Sequence, residues 1–141
     1  MIYNVLDICY YIIEYSYEKE DCINNLKLQK LLYFVQAWFL INTNEPCFFQ
    51  DIEAWDFGAV VPEIYSKFSK FGCGTLPFYK CSIEIFEDDK FLINSVISKF
   101  LNWTSTDMLK LIHHQKPWID AYYNEASNII TNESLLDYFH A

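Results

Sequence analysis

Asn24-Asn25-Leu26-Lys27-Leu28-Gln29-Lys30-Leu31-Leu32-Tyr33-Phe34-Val35-Gln36-Ala37-Trp38-Phe39-Leu40-Ile41-Asn42 is the stretch on which the fold turns. Asn24 is a suitable N-cap, because its short side chain can accept from the free amides of a first helical turn. At helical spacing, Leu28, Leu31, Leu32, Val35 and Phe39 form one apolar face, and Leu26, Tyr33, Ala37 and Leu40 form the reverse one. A helix apolar on two sides belongs in the middle of a fold. Residues 24–42 are therefore expected to be a buried central helix. Gln29 and Lys30 then sit in crowded surroundings, where an ammonium needs a carboxylate. Asp56 and Glu63 are the candidate partners, and Lys30 reads as a structural tie rather than a catalyst.

On the N-terminal side, residues 2–17 place Ile2, Val5, Leu6, Cys9, Ile13 and Ser16 on one helical face. The opposite face carries Asp7, Glu14 and Glu18, together with Tyr11 and Tyr15. These two tyrosines either pack on a neighbouring loop or form a contact patch, since tyrosine offers large area at low entropic cost. Tyr11, Tyr15, Glu14 and Glu18 make the candidate partner patch.

On the C-terminal side, Pro46 to Phe57 suggests a short extended segment, possible as a strand. Gly58 suits a turn with positive φ. Pro62 opens a helix that carries Ile64, Tyr65, Phe68 and Phe71 and stops at Gly72. Ser82-Ile83-Glu84-Ile85-Phe86 alternates like a strand, Glu87-Asp88-Asp89 either turns it back or leads into a helix, and a helix is expected from about Phe91 to Asn102. Thr104 and Asp107 have the spacing of a capping box for a short helix to His113. Trp118 opens another helical turn after Pro117, and Thr131 or Asn132 caps a terminal helix with Leu135, Leu136 and Phe139. The expected fold class is mainly α, a compact helical domain with a small β element, and residues 1–141 read as one domain.

Composition agrees with that class. Apolar residues make up 52% and aromatics 19% of 141 residues, ample for a substantial core. Three glycines and four prolines leave little room for flexible linkers. The longest apolar stretch, Leu31 to Ile41, is broken by Gln36 and is too short to span a bilayer. The N-terminus has no basic n-region and does not read as a signal peptide. Cys9, Cys22, Cys47, Cys73 and Cys81 are odd in number and scattered, which suits reduced thiols in a cytoplasm. Cys73, Cys81, His113 and His114 do not have the spacing of a zinc cage, and no cofactor is expected.

The net charge of −9 disfavours direct binding to a phosphate backbone. An acidic surface can instead dock on a basic protein surface, although charge kept for solubility is the simpler reading.

Three runs in order carry a resemblance. They are Lys27 to Phe34 (KLQKLLYF), Glu53 to Pro62 (EAWDFGAVVP) and His113 to Trp118 (HHQKPW). They resemble the signature of the Panacea family, SocA-like and GepA phage-associated, whose order reads KLQKLLYF, EAW-x-x-GPVVP-x-x-Y and H-x-E-x-PW. The resemblance extends from about Asn24 to Phe139. Its motif residues here are Lys27, Gln29, Lys30, Trp55, Gly58, Val61, Pro62, His113, Pro117 and Trp118. The chain departs from the pattern twice, with Ala59 in place of proline and Gln115 in place of glutamate. Ala59 loosens the turn but leaves the helix start at Pro62 intact. Gln115 replaces a His-Glu pair with a neutral hydrogen bond, so His113 is expected to orient its turn while Trp118 fills the core.

The resemblance implies an antitoxin, a non-enzymatic module that neutralises a toxin through direct protein contact. Some relatives of that family are thought to deliver the toxin to a protease as adaptors. Many carry an added DNA-binding segment; none precedes Met1, so autoregulation by this chain is not expected. Inhibition of a host defence nuclease by a phage-encoded protein, as anti-CRISPR proteins do, is the alternative. An enzyme using His113 is a third reading. No G-x-S-x-G, H-E-x-x-H, P-loop or dinucleotide fingerprint supports it. The expected partner is thus a protein, toxin or defence nuclease, with no nucleic acid and no membrane. The apolar content allows a homodimer, but no heptad pattern requires one. The expected location is the cytoplasm, bacterial or that of a phage host.

Overall fold

Asn24 accepts the Lys27 amide at 2.8 Å through its side chain and starts the central helix, as its capping chemistry predicts. The computed structural model describes residues 2–140. Its helices are α1 (Val5–Glu18), α2 (Asn25–Thr43), α3 (Pro62–Phe68), α4 (Glu87–Lys99), α5 (Ser105–His113), α6 (Lys116–Tyr122) and α7 (Asn132–His140). A 3-10 turn, Ser69–Phe71, extends α3 up to Gly72. The strands are β1 (Ile52–Trp55), β2 (Gly58–Val60) and β3 (Ile129–Ile130), in the sheet order β2-β1-β3. The fold is mainly α with a small antiparallel sheet.

Helix α2 is buried on nearly every side, with Leu28, Leu31, Leu32, Tyr33, Val35, Ala37 and Phe39 all at 1% exposure or less. It packs against α1, α3, α4, α5, α7 and β2. Burying a side chain of this size removes about 1.5–3 kcal/mol worth of apolar surface from water, so α2 is the main source of core stabilisation. Its interior amides are put to use. Gln36 accepts from the Cys47 and Phe48 amides at 2.8 and 3.3 Å and donates to the Phe48 carbonyl at 2.8 Å. That clasp orders the approach to β1.

Two expectations need correction. Ser82 to Phe86 is not a strand: Ile85 enters the core, while Ser82, Ile83, Glu84 and Phe86 are exposed. Alternation alone does not make a strand where no neighbouring strand supplies the ladder. The third strand is instead Ile129–Ile130, antiparallel to β1 with Ile52 opposite Ile130. Helix α4 begins at Glu87 rather than Phe91, because Glu87, Asp88 and Asp89 form an acidic first turn that favours a helix N-terminus. Asp89 is buried there and accepts from the Tyr3 hydroxyl at 2.6 Å. Burial first, and this carboxylate next, push the Tyr3 phenol up to about 12.

Helix α1 starts at Val5 rather than Ile2, because the Asn4 side chain accepts from the Leu6 amide at 2.9 Å and caps it there. Other signals translate directly. Thr104 and Asp107 form the expected capping box of α5. For α7 it is Thr131 that caps, accepting from the Ser134 amide at 3.1 Å.

Candidate functional site

The β1–β2 hairpin turns through Trp55, Asp56, Phe57 and Gly58, and it is gripped from both sides. Gly58 has φ +116°, a conformation that L side chains rarely adopt. A Cβ at this position would stand 3.2 Å from Lys30 Cε and 3.3 Å from Leu109 Cδ1. The hairpin therefore rests directly on α2 and α5.

From α2, Gln29 Oε1 accepts the Val61 amide at 2.9 Å, just before Pro62 starts α3. Gln29 Nε2 donates to Asn25 Oδ1 at 2.9 Å, and Asn25 in turn donates to the Tyr65 carbonyl at 3.1 Å. One turn along, the Tyr33 hydroxyl donates to Gln115 Oε1 at 2.8 Å. Lys27 is tied equally well. Its ammonium pairs with Asp21 at 2.8 Å and donates to the carbonyls of Phe100 and Trp103 at 2.8 and 2.7 Å. A cation suits that position, where α4 ends and its carbonyls lack helical partners.

From α5 and α6, three rings reach the same hairpin. His113 Nε2 lies 3.0 Å from the Asp56 carbonyl. A carbonyl only accepts, so this nitrogen carries the proton. Trp118 Nε1 donates to the Trp55 carbonyl at 3.1 Å, and the Tyr122 hydroxyl donates to Asp56 Oδ1. That carboxylate first, and burial second, raise the Tyr122 phenol above its ordinary value. The rings stack in sequence, His113 on Trp118 at 4.1 Å and Trp118 on Tyr122 at 4.4 Å between centroids. Pro117 is buried within the first turn of α6. The Trp55 ring points to the other side, packing on Phe57 and Tyr65 while its Nε1 donates to Glu53.

The expectation that Lys30 pairs with Asp56 or Glu63 is overturned. Asp56 is taken by Tyr122, and no described carboxylate pairs with Lys30. Its ammonium donates to the Leu26 carbonyl at 3.3 Å, and burial lowers it to about 8. That value would suit a general base, but the residue is 1% exposed beneath Gly58. Among the described residues, no group of three or more His, Cys, Asp or Glu is placed to hold a metal ion.

The other candidate residues lie elsewhere, on the face shared by α1 and α4. Tyr11 and Tyr15 stack with centroids 6.2 Å apart, and the Tyr11 hydroxyl donates to Asn94 of α4 at 2.7 Å. Both rings are half-buried, as is Glu14, whereas Glu18 is exposed. Burial chiefly raises the Tyr11 phenol, against the hydrogen bond with Asn94, which lowers it. Phe91 precedes Asn94 by one turn and is 72% exposed, and Phe86 is 60% exposed. Two cations border the face: Lys19 lies over the Tyr15 ring, and Lys90 pairs with Glu87 at 3.4 Å.

Tyr33, Gln115, Tyr122 and Phe91 join the candidate residues only in the folded chain. Tyr122 follows Trp118 by four residues, a helical spacing that carried a usable signal. The Tyr33–Gln115 bond had none, since the two residues are 82 positions apart.

These linked motifs define the class. The chain belongs to the SocA-like antitoxin family with a Panacea domain, whose family model matches residues 28–119. Over 50 residues it is 48% identical to antitoxin SocA of Caulobacter vibrioides (strain NA1000 / CB15N), a match covering 36% of this chain and 27% of that protein. The matched stretch thus spans about a quarter of that relative's length. No solved structure matches the chain. Among the described residues no helix is long and apolar enough to cross a membrane.

Proposed function

We propose that this chain is an antitoxin that neutralises a protein toxin by direct contact and does so without catalysis. The observation that carries this reading is helix α4, on which Phe91 is 72% exposed and Phe86, its N-cap, 60% exposed, and which Asn94 ties to Tyr11 of α1. Large exposed aromatics ringed by charge are what protein interfaces use as anchors and rim. The net charge of −9 selects a basic partner surface and speeds encounter with it. In this reading the family motifs hold the scaffold. Gln29, Trp118 and Tyr122 direct their polar atoms to the hairpin, and Lys27 directs its ammonium to the end of α4.

Co-expression with the adjacent gene tests the reading. Restored growth with co-purification of the two chains supports it. A toxic neighbour that is neither captured nor relieved would sink it. Capture of a host nuclease complex in its place would favour the defence-inhibitor alternative.

A further inference from the structure

Between α2, α4, α5 and α7 runs a groove of ≈ 310 Å³ that the motif network borders without filling. Its apolar wall is formed by Phe34, Trp38, Phe100, Leu111 and Phe139. The Phe34 ring packs on Phe100 at 4.5 Å and on Phe139 at 6.2 Å between centroids, so that wall is held by its own aromatic contacts. The volume lies in the range of small-ligand sites, which are mostly apolar with a few placed polar groups.

The polar groups are specific. Gln115 is 5% exposed and lines the groove. Its Oε1 is held by the Tyr33 hydroxyl, which fixes the amide plane. No hydrogen bond from its Nε2 is formed among the described residues, and the side chain belongs to the groove lining. A donor this deep in an apolar wall is costly unless something accepts from it. Lys99 is the one charged residue of the lining, and its ammonium sits 5.8 Å from the Phe100 ring centroid. Ser95, also on the lining, spends its proton on the Leu92 carbonyl at 2.7 Å. The lining therefore carries the Gln115 amide, the Trp38 indole N–H and one cation, Lys99, at an apolar slot.

We propose that this groove binds a small apolar monocarboxylic acid, its hydrocarbon body against the aromatic wall and its carboxylate accepting from Gln115 Nε2 and Lys99. At about 30 Å³ for each water-sized group, the space suits about ten non-hydrogen atoms, the size of octanoate. Charge complementarity selects the acid over an alcohol or amine of equal length, because only the acid gives both donors an anionic acceptor.

The test is calorimetric titration of the full chain with octanoate, octan-1-ol and octylamine. Octanoate is expected to bind one per chain, the alcohol about tenfold more weakly for want of the charge-assisted bond, and the amine not measurably. Lys99→Met, a substitution at an exposed position, is expected to bring octanoate down to the level of the alcohol. Leu111→Trp, which fills the groove from its α5 side, is expected to abolish binding with the thermal melt unchanged. Equal binding of all three probes, or no binding at millimolar concentration, overturns the assignment. So does octanoate binding that survives Leu111→Trp. If that variant instead loses a captured protein partner while octanoate never binds, the groove is a slot for a partner's side chain and the small-acid site is wrong.

Discussion

The Tyr33 hydroxyl donates to Gln115 Oε1 at 2.8 Å, joining the middle of α2 to the turn that leads into α6. Tyr33 is fully buried and Gln115 nearly so, and burial pushes the phenol far up. The bond thus ties the central helix to the segment that carries His113 and Trp118, and Gln115 also lines the groove. Tyr33→Phe removes a donor and leaves Gln115 short of one partner, a loss of about 1–3 kcal/mol. Denaturant unfolding of Tyr33→Phe, Gln115→Met and the double variant measures it. The double variant is expected to cost less than the sum of the singles, because neither polar partner is then stranded.

Gln29→Leu should destabilise by a similar route. The Val61 amide loses its acceptor in the interior, at a cost of about 1–3 kcal/mol. Circular dichroism melts read the loss. A shift within error of the parent would mean that the hairpin is held by its other contacts alone.

Gly58→Ala tests the close approach of hairpin and helix. The φ of +116° and the 3.2 Å contact with Lys30 Cε both oppose a side chain. Backbone strain of this kind costs about 1–3 kcal/mol. A melting temperature equal to that of the parent would contradict it.

Lys30 gives the fold a pH dependence whose sign follows from its depressed value. The ammonium titrates near 8 in the folded chain against 10.5 when unfolded. The unfolded chain binds more protons through that window, so stability rises as pH climbs from about 8 to 10.5 and is lost again on descent. At full effect the difference is about 3 kcal/mol. Lys30→Met lacks this term. Its stability advantage over the parent is therefore expected to be largest below pH 8 and to shrink towards pH 10, as urea titrations at stepped pH would show. A constant gap across that range would exclude the charge as its cause.

Phe91→Asp and Glu18→Lys separate binding from folding. Both positions are exposed, so each change should leave stability within about 0.5 kcal/mol. For the toxin contact proposed above, Phe91→Asp should weaken capture by more than about 1 kcal/mol, as an interface anchor does. Glu18→Lys should mainly slow association and reduce its dependence on salt. Surface plasmon resonance with the captured toxin distinguishes the two effects.

Much of this molecule is legible in its residues. The burial of α2 follows from its two apolar faces, and the starts of α2 and α5 follow from Asn24 and Thr104. The turn at Gly58 and the helix opening at Pro62 follow in the same way. The failures share a cause. Ser82 to Phe86 alternates without a strand to pair with, while Ile129–Ile130, too short to carry a period, finds β1. Lys30 needed a carboxylate by local reasoning, yet Asp56 went to Tyr122.

Sequence alone settles what is governed within one helical turn: periodicity, caps, the fixed φ of proline and the freedom of glycine. These act between neighbours, so their signals sit side by side in the chain. Tertiary structure decides which distant groups meet. Lys27 with the carbonyls of Phe100 and Trp103, Tyr33 with Gln115, and Tyr11 with Asn94 are pairings between residues far apart in sequence. Each is chosen by the packing of whole helices, because a buried polar group takes the partner that the assembled core places within reach.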